Sequence, residues 1–107
     1  MIDPKRGDVW LGDFPDYGTR PAIIVTRNQA IAKLTNVTLV VTTTRIRGWE
    51  TEVVLSPERH GLRKTSVASC DNVLTVKKSY LIRRMGELDL DTMNAIDDAI
   101  KIALDLP

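Results

Sequence analysis

The sequence predicts a mainly β domain, a small barrel or sandwich, finished by a single C-terminal α-helix. Three observations lead there. Residues 1–88 break into short segments rich in Val, Ile, Leu and Thr, and the turns between them carry Gly or Pro. Residues 89–107 switch to apolar residues at helical spacing. A chain of 107 residues, 43% hydrophobic, is long enough for one core and one domain spanning 1–107.

In chain order, "GDVWLGDF" alternates through Val9 and Leu11 towards Phe14, and Trp10 on its other face should pack at a mostly covered edge. "PAIIVT" and "VTLVVTTT" are nearly continuous apolar runs, the pattern of strands covered on both faces or twisted around a core. "TEVVL", "SVASCDNVLTV" and "YLIRRM" bring the number of strands to five or six. "PDYGT", "RIRGWE" and "SPERHG" read as loops, with His60 of the last as a surface turn residue. In "LDLDTMNAIDDAIKIALDLP" the residues Met93, Ile96, Ile100 and Ala103 form one helical stripe over about 89–106. Asp89 or Asp91 can cap its start. Asp91, Asp97 and Asp98 sit mostly off the stripe and read as a solvated face.

The formal net charge of +1 hides a segregation. Residues 1–88 carry 14 Lys/Arg against 9 Asp/Glu, while residues 89–107 carry one Lys against five Asp. A basic body is compatible with a polyanionic ligand such as nucleic acid. The longest apolar runs fall far short of the roughly 18 residues that span a bilayer, and "MIDPKRGD" lacks a signal-peptide apolar region, so a cytoplasmic protein without a membrane partner is expected. Cys70 is the single cysteine and His60 the single histidine. Neither an internal disulfide nor a clustered metal site is expected from them, and no cofactor is implied.

Standard catalytic groupings do not occur: no glycine-rich phosphate loop ending in Lys-Ser/Thr, no G-x-S-x-G, and no second histidine for a two-histidine ribonuclease. Three polar clusters remain at expected strand ends. Thr19 and Arg20 precede Pro21, and the proline biases Arg20 to extended geometry, which limits where its guanidinium points. Thr42, Thr43 and Thr44 close a strand, and Arg45 and Arg47 open the loop that follows. "SCDN", Ser69 to Asn72, contains Asp71, the only carboxylate between Arg59 and Arg84. Each cluster also has an ordinary structural explanation in β-propensity, turn preference or surface charge.

Taken together, "RGDVWLGDF", "RPAIIVTRN", "VTTTRIRG", "TEVVL", "VASCDNVLTV" and "MGELDLDTMNAIDDAI" resemble, in order and from end to end, the MazF/PemK (Kid) toxins of type II toxin–antitoxin modules. The resemblance implies an SH3-like barrel of the MazF/CcdB type, a homodimer, and metal-independent, sequence-specific cleavage of single-stranded RNA. It also implies a cognate antitoxin whose acidic disordered tail binds across the toxin and blocks the RNA. In that chemistry the 2′-hydroxyl attacks the adjacent phosphate and leaves a 2′,3′-cyclic phosphate and a 5′-hydroxyl.

Carried over residue by residue, the family's catalytic arginine matches Arg20 and its threonine matches Thr44. A guanidinium stays charged and offers several donors, so Arg20 suits stabilisation of the phosphorane oxygens before acid–base work. Asp71 matches an aspartate that some members are thought to use as base. Where some members carry an arginine two residues earlier, this chain has Ser69, which removes a candidate general acid. Asp71, Ser69 and Asn72 can alternatively read base edges. RNA binding falls to the flanking residues Tyr17, Thr19, Thr43, Arg45, Arg47 and Trp49, with Tyr17 as a stacking surface and Trp49 either another or a barrel-core residue. The alternative activity is a non-enzymatic toxin of the same fold that inhibits a protein such as DNA gyrase, since fold alone does not decide function.

Overall fold

In the computed structural model, which describes residues 3–107, six antiparallel strands form one curled sheet with a helix across it. The strands are β1 (Asp8–Phe14), β2 (Gly18–Ile24), β3 (Asn36–Thr43), β4 (Glu52–Leu55), β5 (Ser66–Lys77) and β6 (Leu81–Glu87), and their order across the sheet is β4-β5-β3-β2-β1-β6. Two single helical turns, α1 (Asn28–Ile31) and α2 (Pro57–His60), and a 3-10 turn at Lys78–Tyr80 lie between strands. The C-terminal helix α3 runs Leu90–Ala103, three residues shorter at its end than its apolar spacing predicts.

The near-continuous apolar runs have a direct cause: both faces of the central strands are covered. Val9, Ile23 and Val40 point to a core shared with Leu55, Leu62, Cys70 and the α3 residues Met93, Ile96 and Ala99. Their neighbours Trp10, Ala22, Ile24, Leu39 and Val41 point the other way, into a second core with Phe14, Ile31, Val37 and Leu81. Alternation along a strand therefore sends apolar side chains to two cores and leaves no solvated face for polar residues. Trp10, 5% exposed, is packed as its strand position predicts, and its indole donates to the buried Asp8 carboxylate at 3.2 Å.

The helix packs as predicted on one of these cores, and its N-cap is Asp89, whose side chain accepts from the Thr92 amide at 3.1 Å. Asp97 departs from the solvated-face expectation, because its carboxylate pairs with Arg6.

Two further expectations fail for physical reasons, and one open alternative is decided. "SPERHG" is helical over Pro57–His60, and His60 is 2% exposed, so it is a buried residue and not a surface turn. Ser56 precedes a proline at the first turn, an arrangement that starts helices as readily as loops. "SCDN" lies inside β5, not at a strand end, where the register with β3 jumps from Val40↔Val73 to Thr42↔Ala68. Four β5 residues, 69–72, face the single Val41 there, so β5 bends and the sheet curls at this point. Trp49 is 55% exposed in the loop after β3, which removes the core alternative for it.

Candidate functional site

The concave side of the curl holds a cleft of about 500 Å³. Its floor comes from strand ends: Thr19, Arg20 and Pro21 of β2, Thr42 and Thr43 of β3, and Thr44 just beyond. The rest of the lining comes from Leu62, Arg63 and Lys64, between α2 and β5, from Ser66 at the start of β5, and from Arg83 and Met85 of β6. Two of the three predicted polar clusters thus meet in one cleft. Among the described residues four cations line it, and no carboxylate or imidazole does.

Arg20 is held by local architecture. The turn between β1 and β2 reverses the chain through Asp16 (φ 68°) and Gly18 (φ 75°), left-handed conformations that Asp and Gly tolerate, and delivers Thr19 and Arg20 to the cleft rim. Within the sheet Arg20 pairs with Gly12, whose missing side chain leaves room for the Phe14 ring. Its Nη1 donates to the Thr42 carbonyl at 3.3 Å, and the Thr42 hydroxyl in turn donates to the Pro21 carbonyl at 2.8 Å. The Tyr17 ring lies 5.9 Å from the guanidinium carbon, within cation–π range. Nε of Arg20 is shielded from solvent and has no hydrogen-bond partner among the described residues. A buried charged donor without an internal partner is costly, and such groups concentrate at functional sites.

The third cluster is organised differently. Tyr17 Oη donates to Asn72 Oδ1 at 3.1 Å, and Asn72 Nδ2 donates to Ser69 Oγ at 2.8 Å. The Thr51 hydroxyl donates to Asp71 Oδ2 at 2.6 Å, while Asp71 itself is exposed and outside the cleft lining. Cys70 between them is buried, and burial first, then the Asp71 and Asp97 charges, pushes its thiol up to about 12, so it stays protonated and unreactive. Tyr17 is the one residue touching both groups, through its ring to Arg20 and its hydroxyl to Asn72.

The loop over 44–51 carries Arg45, Arg47 and Trp49 at the surface. The Glu52 carboxylate accepts from the amides of Arg47 (3.0 Å) and Gly48 (2.8 Å), and the Arg47 guanidinium stacks 5.2 Å from the Trp49 ring. A basic and an aromatic side chain are thus presented together.

Sequence reasoning missed Arg63, Lys64, Ser66 and Arg83. A usable signal existed in "GLRKTS", a cationic pair two residues after a glycine, but nothing local ties it to Arg20. Among the described residues, no three His, Cys, Asp or Glu side chains come together as a metal-ligand set.

A curled antiparallel sheet with one helix across it and a cationic, hydroxyl-rich cleft defines the class of small, half-open β-barrel proteins. Residues 5–104 match the family of PemK-like, MazF-like toxins of type II toxin–antitoxin systems, and the chain belongs to that family. It is 35% identical over 102 residues to a probable endoribonuclease, MazF5, of Mycobacterium tuberculosis, with 95% of this chain and 94% of that protein covered. The Mycobacterium tuberculosis toxin MazF-mt6 superposes with a TM-score of 0.87 at 36% identity, over 94% of this chain and 98% of the other. A mycobacterial endoribonuclease solved in complex with its cognate antitoxin gives 0.86 at 36% identity, over 97% of both chains.

Among the described residues no helix is long and apolar enough to cross a membrane.

Proposed function

We propose that this chain is the toxin of a toxin–antitoxin module and cleaves single-stranded RNA at specific sequences without a metal ion. The observation that carries the reading is Arg20: a guanidinium fixed by Thr42 and Tyr17, with an unpartnered Nε, in a cleft shared with Thr44 and three further cations. The RNA 2′-hydroxyl gives up its proton to solvent and its oxygen bonds to the adjacent phosphorus as the bond from phosphorus to the 5′-oxygen breaks, and the departing 5′-oxygen takes up a proton, giving a 2′,3′-cyclic phosphate and a 5′-hydroxyl. Charge grows on the non-bridging oxygens in between. Arg20 answers that charge, and Thr44 donates to a phosphate oxygen or orients the 2′-hydroxyl.

With no carboxylate or imidazole among the described residues lining the cleft of one chain, the acceleration rests on charge stabilisation more than on a paired acid and base. Asp71, outside that lining and steadied by Thr51, fits the reading of a base edge better than proton abstraction. Ser69 and Asn72 extend that reading surface. Tyr17, Thr19, Thr43, Arg45, Arg47 and Trp49 guide the strand, the aromatics by stacking and the cations by phosphate contact. A homodimer and a cognate antitoxin complete the proposal, since an acidic disordered tail matches the sign of the cleft, and its RNA substrate sets its place in the cytoplasm. A toxin that only inhibits a protein target would have no use for Arg20 beside Thr44.

Incubating the purified protein with a long single-stranded RNA in EDTA and mapping the new termini tests this. Discrete cuts that end in cyclic phosphate are expected. Intact RNA at stoichiometric protein would sink the nuclease reading.

A further inference from the structure

Arg83 and Arg84 are neighbours in β6 with opposite fates. Arg84 is tied down: its Nε meets the buried Asp8 carboxylate at 3.2 Å and its Nη2 meets Glu87 at 3.3 Å. Arg83 is exposed and lines the cleft. Arg63 and Lys64 line the same wall, and among the described residues none of these three cations takes part in an ion pair. Three unpaired cations that converge from two separate segments, with no carboxylate between them, form an anion site.

This wall is rigidly built. His60 Nδ1 accepts from the Ser56 amide at 3.0 Å, so the ring proton sits on Nε2, which faces Asp89 Oδ1 at 3.1 Å and the Thr92 hydroxyl at 3.3 Å. His60 therefore bolts α2 to the start of α3. Gly61 follows with φ 77°, and a Cβ there would stand 2.5 Å from the Met85 carbonyl oxygen, so the chain presses backbone to backbone on β6 as only glycine allows. Leu62 then anchors in the helix-side core. Directly after these three fixings come Arg63 and Lys64. Their backbone is preorganised, which lowers the ordering cost of holding a ligand.

We infer that Arg63, Lys64 and Arg83 form a phosphate subsite for the RNA backbone in the cleft they share with Arg20 and Thr44, holding a phosphate next to the one that is cut. The inference rests on the nuclease reading, and the subsite binds without taking part in the chemistry. Its loss weakens RNA capture and leaves the chemical step alone.

The test uses a 2′-O-methyl oligoribonucleotide, which binds but lacks the attacking hydroxyl, so capture is measured apart from cleavage. The triple variant Arg63→Ala, Lys64→Ala, Arg83→Ala should bind at least about tenfold more weakly at low salt. Its plot of log affinity against log salt should be shallower by about 2, from three lost contacts to a single strand. On cleavable RNA, KM should rise with kcat unchanged. Arg84→Ala, which removes equal charge per residue from the same strand, should keep the wild-type slope. If the triple variant melts early, Arg83→Ala alone should still flatten the slope by about 0.7. A wild-type slope in the cleft variants, an equal loss in Arg84→Ala, no binding of the probe by the wild type, or a fall in kcat at constant KM would overturn the subsite. Slope loss together with uncut RNA in the wild type would keep the subsite and remove the nuclease reading.

Discussion

The cleft around Arg20 and the cluster around Asn72 share Tyr17 as a common neighbour yet differ in how their polar groups are satisfied. In the cluster nearly every partner is internal: Tyr17 to Asn72, Asn72 to Ser69, Thr51 to Asp71. In the cleft the partners are missing: Arg20 Nε has none, and Arg63, Lys64 and Arg83 have no ion pair among the described residues. A polar network that satisfies itself holds a shape, and one left unsatisfied is completed by a ligand. The difference separates a surface whose polar groups satisfy one another from a cleft whose polar groups are left open to a ligand, although both grew from polar residues on adjoining strands.

The hardest way to break this comparison is to remove Arg20. Arg20→Ala should lower cleavage by at least about a hundredfold, the scale of one preorganised donor to a developing charge, with the circular dichroism spectrum unchanged. Cutting at the wild-type rate would refute the catalytic role.

Asp71→Asn probes the other side. A reader changes which sequences are cut, so the expected outcome is a shifted set of termini at comparable total cleavage, scored by end mapping. Uniform loss at every site would instead move Asp71 into the chemistry.

The smallest effect concerns the bolt behind the cleft wall. Hydrogen bonds from the Thr92 hydroxyl, the Thr92 amide and His60 hold the Asp89 carboxyl well below the usual carboxylate range. A depressed carboxylate contributes stability that is present above its unfolded value, 3.8, and is lost as pH falls towards the folded one. Thermal melts of the wild type should therefore decline more between about pH 5 and pH 2 than those of Asp89→Asn. Parallel declines would show that the bolt contributes nothing to acid stability.

Much of the frame was legible along the chain because its signals are local. Alternation marked β1, continuous β-branched runs marked β2 and β3 as covered on both faces or twisted around a core, and a change of period marked α3 with Asp89 or Asp91 at its cap. His60 was not legible: its ring is buried by partners 4, 29 and 32 residues away, and only the first, Ser56, lies within reach of a local pattern. The "SCDN" stretch carries turn-forming residues, and the long-range pairing of β5 with β3 and β4 overrode that preference. Trp49 was ambiguous because an aromatic beside a loop serves a core or a surface equally well until the sheet's curl decides which side it faces.

By itself the sequence determined which segments are strands, where the helix starts, that the body is basic, and that Arg20 is stiffened by Pro21. These follow from side-chain period, capping chemistry and proline geometry, each acting within a few residues. Only the tertiary structure decided that Arg63, Lys64 and Arg83 line the same cleft as Arg20 and Thr44. Their meeting depends on strand order, on the register jump that bends β5, and on a glycine pressed against β6, and such pairings between distant residues leave no periodic trace in a single chain.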